Sequence, residues 1–197
     1  MKMRIRCGLR SLKINRANMS GLCSICILFS VLFFMTALAF ASGVELTNLV
    51  IKNMHDRLAL DLKINGIFTE EMKAAILSGI PVSFTFSILL YQVHDFWFDK
   101  RITNITTIHK IQYDTLKKEY SIIRTWEKAG ASMVLNFEKA RQLISEINSL
   151  EVIPLKSLKK GKHYQLKVKS ELNDRNYFFS RLPWEFETDW YTINFIY

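Results

Sequence analysis

Cysteine is missing from this chain after residue 42: Cys7, Cys23 and Cys26 are the only three in 197 residues. A domain built from the remainder must stand on its hydrophobic core without disulfides, and it has no thiol to serve as nucleophile or zinc ligand. Glycine is also sparse. Gly43, Gly66, Gly79, Gly130 and Gly161 each fall at an element boundary, where a turn or cap needs them, so no phosphate-cradling loop can be assembled from them. There is no G-x-S-x-G elbow and no H-E-x-x-H pair. His55, His94, His109 and His163 are scattered without ligand spacing, so neither a metal nor another cofactor is expected.

Acidic residues are absent before Glu45, whereas Lys2, Arg4, Arg6, Arg10, Lys13 and Arg16 all precede it. Setting those six aside lowers the formal net charge from +9 to +3. A nucleic-acid partner needs basic clustering on the folded domain itself, which this distribution does not offer. The six cations instead flank an apolar block, LCSICILFSVLFFMTALAFA, from Leu22 to Ala41. At about 1.5 Å per residue the block reaches about 30 Å, enough to cross a bilayer hydrocarbon core. The basic flank stays cytoplasmic under the positive-inside rule, which places everything after the block outside the cytoplasm. Its length favours a retained anchor, while the small-x-small pattern at Ala39–Ala41 suits signal-peptide cleavage; both readings stand. Leu22 and Ile25 precede the two cysteines of the C-x-x-C spacing, which disfavours lipidation. The organisation read from the sequence is therefore a basic segment (1–21), an anchor or signal (22–41) and an exported domain (44–197).

In that domain apolar residues alternate with polar ones, the pattern of half-buried strands. Leu58, Leu60, Leu62 and Ile64 share a face, as do Val82, Phe84, Phe86, Ile88 and Leu90, and again Tyr164, Leu166, Val168 and Leu172. IQYDTLKKEYSII reads as two strands around a turn opened by Asp114 and Thr115. With a first strand near 46–51 and a last near 188–195, about seven strands result. Helical period occurs twice: in TEEMKAAILSG behind Thr69 as N-cap, and in NFEKARQLISEINSL behind Asn136, where Phe137, Ala140, Ile144 and Ile147 form one stripe. Two helices cannot supply the crossovers of a parallel sheet, so the expectation is a mainly β fold. It takes the form of an antiparallel sandwich of about seven strands with two short helices.

Two clusters combine large aromatics with carboxylates. In HDFWFDKR, Trp97 stands between Phe96 and Phe98, with Asp95 and Asp99 outside them. In WEFETDWY, residues 184–191, strand periodicity puts Glu185, Glu187 and Asp189 on one face and Trp184, Phe186 and Trp190 on the other. Carboxylates two apart on a strand are separated by about 6.6 Å, a spacing that overlaps the one an inverting glycosidase uses. Glycosidase carboxylates flank a sugar, however, whereas strand neighbours point the same way. The favoured reading is architectural: the aromatics enter the core, the acids face water, and Thr188 and Asp189 satisfy backbone donors where the strand begins. A glycan platform is the alternative, with Trp97, Asp99, Trp184, Glu185, Glu187, Asp189 and Trp190 as its candidate binding residues. Lys156, Lys159, Lys160 and Lys162 around Gly161 read as a solvated turn.

The order of GIPVSF (from Gly79), WFD (97–99), YDTLKKEY (from Tyr113), a short helix, KGKHYQLKV and WEFETDWY resembles an envelope family of proteobacteria, domain of unknown function 4390. The resemblance implies an exported, membrane-anchored protein over about residues 44 to 196. It supplies no activity, ligand or catalytic residue. It also makes a nitrogen-regulation-type membrane sensor kinase a candidate partner. The expected function is a non-catalytic periplasmic domain held at the inner membrane, or released to the periplasm by cleavage after Ala41, that binds a ligand or an envelope partner. An envelope enzyme acting on glycan through the C-terminal carboxylates is the alternative.

Overall fold

The computed structural model describes residues 43–172 and 186–197. The basic segment and apolar block, and with them Trp184 and Glu185 of the C-terminal cluster, lie outside the described residues. Among the described residues no helix is long and apolar enough to cross a membrane.

The chain forms two antiparallel sheets. Strands β1 (Glu45–Met54), β2 (Arg57–Asn65) and β7 (Glu146–Pro154) make a three-stranded sheet in that order. The larger sheet has seven strands and runs β10 (Tyr191–Ile196), β8 (His163–Leu172), β3 (Val82–Gln92), β4 (Lys100–Asp114), β5 (Glu119–Arg124), β6 (Ser132–Val134), with β9 (Phe186–Glu187) also paired to β8. Both sheets feed one core. Leu58, Leu60, Leu62 and Ile64 from β2 join Phe84, Phe86, Ile88 and Leu90 from β3 and Leu166 and Val168 from β8, all nearly inaccessible to solvent. The alternation visible in the sequence is thus the in-out register of each sheet.

Helix α1 (Glu70–Leu77) starts where Thr69 Oγ1 accepts the Met72 amide at 3.2 Å. It ends in a Schellman turn, Ile80 N–H to Ala75 C=O and Gly79 N–H to Ile76 C=O, with Gly79 at φ +86°. Helix α2 (Phe137–Ser145) is capped by Asn136 Oδ1, which accepts from Glu138 and Lys139. The sequence carried this helix through Ile147. In the fold it stops at Ser145 and passes straight into β7, whose Ile147 opposes Leu62 of β2. Between the pairs Leu62–Ile147 and Leu60–Leu150, β7 holds one residue more than β2. This bulge puts Ile147 and Leu150 on the same buried face three positions apart, a spacing that imitates a helix.

His109 ties the larger sheet to helix α2. Its ring, fully buried on β4, places Nδ1 2.8 Å from the Ile144 carbonyl, while Nε2 lies 3.0 Å from the Trp126 indole nitrogen. Because the indole N–H only donates, Nε2 accepts and Nδ1 carries the proton, so the ring is neutral.

Candidate functional site: an aromatic tip and a distant C-terminal cluster

The seven residues between β3 and β4 form a loop on two central strands of the larger sheet. Val93 N–H donates to the His163 carbonyl at 2.9 Å, fixing the base of the loop to the start of β8. Asp99 closes it: its Oδ1 accepts the His94 amide at 3.2 Å. The carboxylate singled out beside Trp97 therefore shapes the loop. At the tip Phe96 is 98% exposed, Trp97 79% and Phe98 86%. Trp97 and Phe98 meet edge to face at 6.3 Å, yet none of the three packs into the core. Three adjacent aromatics held in water on a strand-mounted loop are the sort of apolar exposure that marks an interaction surface.

The lysine-rich turn adjoins the base of this loop. Lys159, Lys160 and Lys162 surround Gly161, which has φ +71° and donates its N–H to the Tyr197 carbonyl. Because His163 holds the base of the aromatic loop, loop and turn occupy the same end of the sheet. Sequence order hid this, as about sixty residues separate them.

The C-terminal cluster is elsewhere. Gln92, just before the tip, pairs with Tyr164, whereas Glu187 pairs with Glu171, seven residues further along β8 and so roughly 23 Å away at ~3.3 Å per residue. The two candidate groups do not form one site. Glu187 is ion-paired to Lys169. Thr188 is buried, its hydroxyl accepts the Ser170 amide at 3.0 Å and its own N–H donates to the Ser170 carbonyl at 2.9 Å. It is the backbone-satisfying residue anticipated at this strand start. Asp189 faces solvent.

Trp190 departs from the expected core position, being 45% exposed with Lys169 Nζ 5.6 Å from its ring centre. The cause is a second bulge. From Glu171 to Val168 the central strand advances three residues, while its partner advances four, from Glu187 to Tyr191. The extra residue resets the alternation, so Tyr191, Ile193 and Phe195 point inward and Trp190 is left outside.

The burial of His109 also sets its protonation. Burial pushes the His109 pKa down to about 4; the Ile144 carbonyl opposes that shift and the charge of Arg124 reinforces it. Its two ring nitrogens are committed within the core, so the group holds structure together. Among the described residues no three His, Cys, Asp or Glu side chains converge on a potential metal position.

A mainly β domain of two antiparallel sheets, carrying an aromatic tip at one end, is the class these observations define. The family described as Domain of unknown function (DUF4390) matches residues 41–194, and the chain belongs to that family. No curated protein and no solved structure matches the chain.

Proposed function

We propose that the chain is a non-catalytic binding domain of the bacterial envelope, its two sheets packed as a sandwich and its working surface the aromatic tip at Phe96, Trp97 and Phe98. The tip's exposure carries this reading: nearly the full area of three aromatics is kept in water by a loop that its own hydrogen bonds hold open. The basic flank and apolar block at 1–41 support export with anchoring in the inner membrane, or release to the periplasm if the chain is cut after Ala41. A membrane sensor kinase, suggested by the family resemblance, is a candidate partner. Glycan chemistry at the C-terminal carboxylates has weaker support, because Glu187 is ion-paired to Lys169.

The test places a photoreactive phenylalanine analogue at position 97 of the full chain in growing cells. A discrete crosslinked species, protein or lipid, that is missing when the probe replaces Leu116, an exposed turn residue, is the expected result. Equal crosslinking from both positions would remove the tip from function.

A further inference from the structure

The tip of this domain carries two chemistries at once. The aromatic triplet stands almost wholly in water at the end of its loop. A protein partner would need a groove deep enough for three adjacent rings, whereas a fluid apolar medium accepts them without a matching shape. Around the rings the charge is mainly positive. Lys100 and Arg101 follow the loop directly, and Lys159, Lys160 and Lys162 crown the turn held against its base; all five are exposed. None of the five forms an ion pair among the described residues. On these segments five cations stand against two carboxylates, Asp95 and Asp99, and Asp99 is engaged by the His94 amide.

Tryptophan and phenylalanine at the boundary of water and hydrocarbon, ringed by lysine and arginine at headgroup level, form the combination that anchors proteins at an anionic bilayer surface. We propose that this end of the domain docks on an anionic lipid surface, with Phe96, Trp97 and Phe98 entering the interface and the flanking cations on the headgroup phosphates. The proposal rests on the reading of the tip as the working surface and names what it meets. Glu45, where the chain enters the domain, lies at the other end of β1, so a docked bilayer contacts the end opposite the entering chain.

The experiment uses the compact unit Ser42–Tyr197, which carries its own core, so that the apolar block at 22–41 does not itself bind lipid. Co-sedimentation is measured with vesicles of phosphatidylcholine alone and of phosphatidylcholine with about one-third phosphatidylglycerol. Binding is expected only to the anionic vesicles, weakening as salt rises, with a blue shift of tryptophan emission that Trp97→Phe abolishes. Replacing Phe96, Trp97 and Phe98 together by Ser should weaken binding at least about tenfold. Each of Lys159→Gln, Lys160→Gln and Lys162→Gln should weaken it about fivefold, the equivalent of ~1 kcal/mol per cation near the surface. These positions are exposed, and an unchanged urea midpoint for each variant establishes that it remains folded. No binding to anionic vesicles, or binding that survives the aromatic replacement, overturns the proposal. If lipid binding fails while position 97 still crosslinks a discrete protein in cells, the tip remains the working surface and only its lipid partner is wrong. If both fail, the functional reading falls with it.

Discussion

Trp190 and Thr188 exchange the roles that their side chains suggest. The indole is the larger apolar group, yet Thr188 is buried and closes the backbone between β8 and β9. Thr188→Val should cost about 1–3 kcal/mol in urea unfolding, because the Ser170 amide loses its acceptor in a dry site. Trp190→Ala should cost only about 1 kcal/mol, the scale of an exposed ring beneath a lysine, and a loss of several kcal/mol would restore a core role. His109 adds a pH dependence. Its folded pKa, about 4, lies below the ordinary histidine value of 6.5. An unfolded chain therefore takes up a proton there first as pH falls. Stability contributed by the neutral ring is complete above about pH 6.5, declines toward pH 4 and then levels off, a total of about 3 kcal/mol. Carboxylates also titrate in that range, so the measurement is the difference between wild type and His109→Gln. The gap in unfolding free energy should shrink as pH drops from 7 to 4, and a constant gap would mean that His109 takes up its proton alike in the folded and the unfolded chain.

At the scale of elements, the strands were legible wherever the alternation runs without interruption. Val82 to Leu90 and Tyr164 to Leu172 place every second side chain in the core because unbroken pairing makes burial follow parity. Legibility ended at bulges, since one added residue reverses parity and no local composition announces it. Trp190 looked buried for that reason, whereas Ile147 looked helical because it follows Ile144 by three positions across the direct junction of α2 and β7. Much of β4 also escaped notice, because RITNITTIHK interleaves polar and apolar residues without strict alternation. The β7 bulge has a visible fastening: Ser149, at φ +63°, donates its amide to Asp61 Oδ1 at 2.6 Å, while Asp61 Oδ2 takes Lys52 Nζ at 2.7 Å. Removing that fastening by Asp61→Ala should destabilise the domain by about 1–2 kcal/mol. Asn136→Ala, which only uncaps α2, should cost about 1 kcal/mol. If Asp61→Ala were neutral in the same urea titration, the bulge would be held by strand pairing alone. The tip escaped the sequence in a different way: HDFWFDKR shows its aromatics, but whether a side chain is buried or exposed on a loop depends on what the rest of the fold brings against it.

At the scale of the molecule the domain is polar in the geometric sense. β1 runs ten residues, roughly 33 Å, from Glu45 to Met54, and the hairpin that follows is tied through Asp56 C=O and Leu155 N–H to the turn leading into β8. The aromatic loop is tied to His163 on the far side of that turn. The chain thus enters at one end and presents its aromatics and lysines at the other. Six basic residues before Leu22 and none within the apolar block predict that this whole unit lies outside the cytoplasm. Alkaline phosphatase fused after Tyr197 should be active in intact cells, and β-galactosidase at the same position inactive; the reverse pair of results overturns the topology. N-terminal sequencing of the mature protein then decides what the two ends do. A first residue of Ser42 frees the entry end and leaves the tip to hold the domain at lipid, so that replacing Phe96, Trp97 and Phe98 by Ser should move it from the membrane to the soluble fraction. A chain that keeps residues 22–41 should stay with the membrane when the tip is replaced, and only contacts made about 33 Å from its point of entry should be lost.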